Sequence, residues 1–509
     1  MSGRRRRRES IHVLLLSLLT LASCRPIDDD LGMFTFDVHH RFSDEVMRIL
    51  PPDELPEKGT LPYYASMAYR DTAFHGRRLA DSDSLLTFVD GNETLLISSL
   101  GFLHYAAVNV GSQNLSFLVA LDTGSSLFWL PCDCQECVGA LRTSSGTRIE
   151  LNIYSPVDST SSRLVPCGSS LCYQQTSCNS SSSACPYLVE YLSDQTSSVG
   201  YLVEDDLQLI TDNTLKKSVS AKVVVGCGQV QTGAFLQGGA PNGLFGLGLS
   251  DVSVPSSLAK QGLIADSFSL CFGSGASGRI TFGDKGSANQ SQTPINVDPK
   301  HPSYNITVTK ISVDGNPIDL SFNVIFDTGT SFAYLNDPAF STISKKYNEL
   351  VSYPRFNNYS LDQLPFNYCY DIRPRKNTSF PSLELTMKNG AVFKVKNPVE
   401  PVRFSSELII YCLGIIRSDS IDIIGQNFMS GHRVVFDRER MIVGWEDSDC
   451  NNFVRTSSQA PPSQSGLPLS NSSTGSQQII PTTGNRSPFL FPATFSILKT
   501  LLLYVFIVS

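Results

Sequence analysis

The chain has no surplus of basic residues. Its 509 residues sum to a net charge of −7, which argues against nucleic-acid binding through bulk electrostatics. Between about 95 and 450 helical periodicity is scarce, found in "VPSSLAKQGLI" (254–264) and "DPAFSTISKKYNELV" (337–351), the latter with Asp337 as cap and Pro338 at the first helical position. That scarcity excludes a helical bundle. No serine and histidine stand in a convincing nucleophile–base context: His39 and His40 lie in residues 25–90, and His301-Pro302 reads as a connection between two halves. "GSGASG" (273–278) satisfies G-x-G-x-x-G but joins two strand-like runs and opens no helix, so it reads as a turn.

What is present begins with processing signals. "MSGRRRRRES", the apolar "IHVLLLSLLTLAS" and the small-residue step Ala22-Ser23-Cys24 form a secretory signal peptide over 1–24. A nuclear-localisation reading of the basic run is set aside because the apolar run follows at once. Of thirteen cysteines, removal of Cys24 with the signal leaves twelve, an even number that suits disulfides in an oxidising compartment. Sequons stand at Asn92, Asn114, Asn179, Asn289, Asn305, Asn358, Asn377, Asn471 and Asn485, candidates for glycosylation in surface loops. Residues 451–487 are rich in Ser, Thr, Pro and Asn and read as a disordered stalk, ahead of "SPFLFPATFSILKTLLLYVFIVS". Pro492 and Lys499 interrupt that apolar end and no basic stop-transfer tail follows. A GPI-attachment signal over 474–509 therefore fits better than a transmembrane helix, with Ser473 or Gly475 as lipid carrier and 451–473 left as the stalk.

Residues 25–90 contain short mixed helical patterns and a dibasic Arg77-Arg78. They read either as an extension packed on the body or, in this secretory context, as a removable prosegment, the reading adopted here. From about 95 to 450 the pattern is one of strands and turns: "LHYAAVNVG", "LSFLVALDTG", "KVVVGCG", "FSLCFG", "GRITFGD", "YNITVTKISVDG" and a hairpin in "VFDRERMIVG". The length exceeds one ordinary core, so two domains are expected.

An internal repeat organises this body. "VALDTGSSLFWL" (119–130) matches "VIFDTGTSFAYL" (324–335) in kind at Val119/Val324, Asp122/Asp327, Thr123/Thr328, Gly124/Gly329, Ser125/Thr330, Ser126/Ser331 and Trp129/Tyr334. Downstream of each lie two apolar residues and a glycine, in "NGLFGLG" (242–248) and "DIIGQNF" (422–428), as if backbone packs closely there. A carboxylate at the end of a buried strand is costly without hydrogen bonds and a task. Two in similar frames suggest a duplicated lobe with one aspartate from each.

These motifs resemble those of the pepsin-like aspartic proteases, and closely the plant nepenthesin-type, atypical branch. The resemblance implies a mainly β, bilobal fold, with an N-terminal catalytic lobe over 95–298, a C-terminal lobe over 299–450 and a cleft between them. It implies that Asp122 and Asp327 are the catalytic pair, with Thr123, Gly124, Thr328 and Gly329 holding them and Ser125 and Thr330 donating to their outer oxygens. The family's flap tyrosine falls on Tyr191, with Trp129 as its hydrogen-bond partner; read without the family, both are core aromatics. Leu192 after Tyr191 and the longer "SDQTSS" depart from the usual flap tip. The resemblance also pairs Cys369 with Cys412. Cys227, Cys271 and Cys450 are left to bridge in some arrangement with the crowded Cys132, Cys134, Cys137, Cys167, Cys172, Cys178 and Cys185, which read as disulfides rather than a metal cluster. No saposin-like insertion interrupts the second lobe.

Two carboxylates held close share one proton over an acidic range, so one can deprotonate a water while the other protonates a peptide carbonyl. Their pKa values belong to the pair. This chemistry needs no metal, cofactor or covalent nucleophile. The expectation is an acid endopeptidase acting on peptides or proteins, monomeric, GPI-anchored at the cell surface or else secreted to the apoplast. The alternatives are a catalytically silent GPI-anchored peptide-binding or inhibitor protein on the same fold, and an adhesion or wall-structural protein, which would leave the duplicated core unexplained.

Overall fold

The computed structural model describes residues 32–450 except 51–54, 76–103, 143–147, 192–195, 211–216, 237–238, 274–276, 299–301, 361–363, 374–378 and 420. The signal peptide, Arg77-Arg78, Asn92, Asn377, Asn471, Asn485, the stalk and the apolar tail with Ser473 and Gly475 lie outside the described residues.

Strands dominate, as the alternating apolar runs require. In the first half, His104–Val110 and Leu115–Asp122 form an antiparallel pair, with Ala106 opposite Val119 and Val108 opposite Phe117. The long strands Ser197–Ile210 and Ser218–Gln231 pair antiparallel beside them. In the second half, Asn305–Val313 and Asn316–Phe326 turn about Asp314-Gly315, both at positive φ (50° and 75°), the backbone an Asp-Gly hairpin turn demands. Each half keeps its dyad strand buried at its apolar residues: Val119, Ala120, Val324 and Phe326 are inaccessible to water.

The halves share one sheet. Ser291–Pro294, Ile442–Asp447, His432–Asp437, Ser267–Phe272, Ser277–Phe282, Phe34–His40 and His104–Val110 follow one another across it. The hairpin read in "VFDRERMIVG" is the pair His432–Asp437 and Ile442–Asp447. Where the halves meet, Phe268 stacks on Phe436 with centroids 4.9 Å apart. Arg433 is bound by Asp284 and Glu446 in the same region.

The N-terminal segment is built into this body. Phe34–His40 runs between Ser277–Phe282 and His104–Val110, with Phe34 opposite Phe282 and His40 opposite His104. Helix Leu61–His75 buries Tyr63, Tyr64, Met67 and Ala68 against Phe332, Phe366, Val402 and Ile416 of the second half.

Six disulfides join all twelve body cysteines: 132–227, 134–137, 167–178, 172–185, 271–450 and 369–412. Cys369–Cys412 forms as the resemblance implied, and Cys227 does bond to the first-lobe group through Cys132. Cys271 and Cys450, whose partners the sequence leaves open, bond to each other, because Cys271 lies on the shared sheet where the chain leaves its last strand. Helix Ala339–Leu350 has Pro338 at its cap position, while the Asp337 side chain accepts the Ser341 N–H (3.1 Å). Asn114, Asn179, Asn289 and Asn358 are exposed. Asn305 is half-buried at a strand start, with its Oδ1 accepting from Asn296 (2.9 Å).

Candidate active site

Asp122 ends the strand Leu115–Asp122, and Asp327 directly follows Asn316–Phe326. A short parallel strand flanks each: Leu244–Gly246 places Gly246 opposite Asp122, and Ile423–Ile424 places Ile424 opposite Phe326. The apolar-apolar-glycine motifs are explained here. A Cβ on Gly246 would lie 2.3 Å from the Ser126 carbonyl carbon, and one on Gly425 2.2 Å from the Phe332 oxygen. Backbone of each Asp-Thr-Gly loop passes where any side chain would stand.

The two loops meet. A Cβ built on Gly329 would fall 2.8 Å from Asp122 Oδ1 and 3.1 Å from Asp327 Oδ1; on Gly124 the distances are 3.1 and 3.3 Å. Both inner carboxylate oxygens therefore crowd the same small space. Gly124 N–H donates to Asp122 Oδ1 and Gly329 N–H to Asp327 Oδ1, each at 2.8 Å. Thr330 Oγ1 donates to Asp327 Oδ2 (2.6 Å). Ser125 does not mirror it: its Oγ is buried without a hydrogen bond, though near enough to Asp122 to favour that carboxyl's charged form. Across the loops, Thr328 N–H donates to Thr123 Oγ1 (2.9 Å) and Thr123 N–H to Thr328 Oγ1 (3.2 Å). This reciprocal pair sets the spacing of the carboxylates.

Burial first, and then the charge of Asp327, push the Asp122 carboxyl up to about 7; Ser125, the Gly124 N–H and Arg70 oppose the rise. Trp129 Nε1 donates to Tyr191 Oη (3.1 Å), and both rings meet Phe235 edge-on at 4.9 Å. Tyr191 ends the hairpin of Pro186–Glu190 with Ser197–Ile210, its N–H bonded to Thr196 O (3.0 Å). Burial first, and then the Asp122 charge, raise the pKa of the Tyr191 hydroxyl. Residues 192–195, the departing tip, lie outside the described residues.

Residues 104–284 match the family model described as xylanase inhibitor N-terminal, and residues 303–447 the one described as xylanase inhibitor C-terminal. The chain is 52% identical over 446 residues to Aspartyl protease family protein 1 of Arabidopsis thaliana, covering 87% of this chain and 86% of that one. It is 36% identical to Aspartic proteinase-like protein 1 of the same plant, covering 91% of each. The chain belongs to the plant pepsin-like aspartic proteases. Among solved structures, basic 7S globulin from soybean matches at a TM-score of 0.55 and 18% identity, over 82% of this chain and 95% of the globulin, a likeness of fold.

Within that family frame, the structure adds residues that motif reading passed over. Arg70 donates to the Gly329 carbonyl (2.6 Å) and Ser331 Oγ (3.0 Å). Asp71 accepts from Ser331 N–H (3.0 Å), Ser331 Oγ (2.8 Å) and Tyr334 Oη (3.0 Å). Gln426 donates to the Thr328 carbonyl. "YRD" at 69–71 carried no signal in sequence, because its partners stand some 260 residues away.

Asp327→Asn removes the neighbouring charge that raises Asp122, so Asp122 should titrate below about 7, while Arg70→Gln should move it upward. Carboxyl carbon NMR of labelled aspartate measures both shifts. Unmoved titration in Asp327→Asn would mean the carboxylates do not interact.

Proposed function

We propose that this chain is an aspartic endopeptidase, made as a self-blocked precursor, that hydrolyses extended peptides at acidic pH on the outer face of the plasma membrane. One observation carries the reading: the inner oxygens of Asp122 and Asp327 lie within 3.3 Å of a common point. The ionised carboxylate takes a proton from water, whose oxygen adds to the scissile carbonyl while the protonated partner donates to the carbonyl oxygen. Collapse of the tetrahedral species breaks the C–N bond, and the proton goes to the leaving amine. Thr123, Thr328, Gly124, Gly329 and Thr330 hold the pair for this, and Tyr191, braced by Trp129, closes over the substrate. A silent peptide-binding or inhibitor protein would need neither carboxylate in such a buried, costly frame.

Helix Leu61–His75 bonds the Asp327 loop through Arg70 and Asp71, which supports residues 25–90 as an inhibitory prosegment. Secretion and GPI attachment at Ser473 or Gly475 rest on the sequence signals at the two ends, and the working unit is a monomer.

Hydrolysis of a denatured protein between pH 3 and 7 by the secreted, processed chain should peak in acid and fall about 10²–10⁴-fold in Asp327→Asn. A folded chain that binds a hydroxyl-containing peptide inhibitor without turnover would select the binding reading. Phosphatidylinositol-specific phospholipase C should release the protein from intact cells; retention would instead support a transmembrane anchor.

Release of the segment should depend on pH. With it seated, burial, then Lys58, Arg70 and Arg41, push His40 down to about 3. Burial, then His40, Arg70 and Lys58, against a hydrogen bond to Gln426, hold His104 well below its usual range. Depressed histidines favour seating above about 6.5 and lose it as pH falls, by up to about 1.4 kcal/mol per pH unit each. Glu400 acts oppositely: burial pushes it up to about 7 when covered, so between its ordinary value and 7 acid favours seating. The two histidines outweigh it, most clearly below about pH 4.5. His104→Gln removes one proton uptake and should shift acid activation of the precursor to lower pH with a shallower slope; an unchanged profile would exclude this coupling.

A further inference from the structure

The site has a second chemical feature, on the second-lobe side of the dyad. Strand Val399–Arg403 is the free edge of a three-stranded sheet with Ile409–Leu413 and Cys369–Asp371. The N-terminal segment is laid on that edge. Arg403 N–H donates to the Gly59 carbonyl (2.7 Å), Thr60 pairs with Arg403 in parallel, and Tyr64 Oη donates to the Pro401 carbonyl (3.1 Å). One isolated bridge thus occupies the edge of this sheet, and strand addition to such an edge is a mode by which extended peptides bind.

The surface beneath is apolar, built from Phe332, Phe366, Val402 and Ile416. Glu400 shares a face with Val402 by strand alternation, so its carboxylate is set against this surface. What meets that carboxylate is telling. Tyr64 Oη lies 3.4 Å from Oε2, and Asn427 of the helix Gln426–Met429 and the charge of Lys58 favour its charged form. Lys58 of the segment makes no direct ion pair with Glu400, and its charge acts on the carboxylate from a distance. Glu400 is also tied to the dyad loop, since Asn427 N–H donates to the Ser331 carbonyl (3.0 Å).

Spacing places it along a substrate. Tyr64 contacts Glu400, and Arg70, six residues further along the same helix, contacts Gly329. Six helical residues span about 9 Å, which an extended peptide covers in about three residues.

Resting on the protease reading above, we propose that the edge 399–403 becomes a substrate-binding edge once the segment leaves, and that Glu400 selects a lysine or arginine side chain about three residues from the scissile bond. The carboxylate that loses hydration under the segment regains it in the open cleft and is ionised there at mildly acidic pH. A cationic side chain flanked by apolar neighbours then matches both the charge and the surface.

The test uses the full chain as secreted and processed by its host, beside Glu400→Gln. Matched peptides carry Lys, Gln or Glu at each of the four positions on either side of the cleaved bond. At pH 5.5 the ratio of kcat/KM for Lys over Gln at one position should be about tenfold and collapse to about one in Glu400→Gln. An equal preference in both proteins overturns the proposal while leaving the protease reading intact. If neither protein cleaves any peptide, the protease reading fails, and calorimetric binding of the same peptides still decides the carboxylate's role. A Lys preference lost in Glu400→Gln supports it; equal affinities for Lys and Gln peptides in the parent overturn it.

Discussion

The structure depends on holding two carboxylates, each buried, against the same few ångströms of space. Neither desolvation nor mutual repulsion favours that arrangement. It persists because every element around it supplies a donor or removes an obstruction. The Asp-Thr-Gly turns aim N–H groups at the inner oxygens, and the crossed Thr123–Thr328 bonds lock one turn to the other. Gly246 and Gly425 give up their side chains so that the loops can pass. The first of the dyad strands is buried on both faces from Phe117 to Asp122, which is why it reads as a continuous apolar run rather than an alternating one.

The N-terminal segment answers part of the same electrostatic problem. Arg70 and Asp71 are a buried pair with side chains 2% and 0% exposed, an arrangement that is stable only with further hydrogen bonds. The second-lobe loop provides them through Gly329, Ser331 and Tyr334. Removing the segment returns those groups to water or substrate. It also withdraws Phe34–His40 from between two strands, leaving both ladders unpaired. A central strand is not shed without a replacement on that edge. Departure of the helix from the Asp327 loop and departure of the strand from the sheet are therefore different steps.

Much of this was legible in the sequence because it is local or repeated. The Asp-Thr-Gly pair, the downstream glycines and the "VFDRERMIVG" hairpin each carry their meaning within a dozen residues. The pairing of Trp129 with Tyr191 was reachable only through family resemblance, since spacing alone reads both as core aromatics. Cys271–Cys450 escaped because the partners come together only when the last hairpin joins the first lobe's sheet, 179 residues apart. Arg70, Asp71 and Glu400 escaped for the same reason. A charged residue in an unremarkable stretch acquires a role only from what is folded onto it.

The duplication makes the departures from symmetry informative. Trp129 and Tyr334 hold equivalent places after the two aspartates. In the first lobe, Trp129 donates to Tyr191 of the hairpin; in the second, Tyr334 donates to Asp71 of the segment. Ser126 and Ser331 divide in the same way: Ser126 Oγ accepts from Ser250 within its lobe, whereas Ser331 is bound through N–H and Oγ to Asp71. The segment thus stands to the second lobe as the hairpin stands to the first, capping the face that the duplicated plan leaves without a flap. A hairpin on one side and a covalently tethered segment on the other is an asymmetric solution. On the second-lobe face the segment covers an apolar floor of Phe332, Phe366, Val402 and Ile416 and the one carboxylate of Glu400.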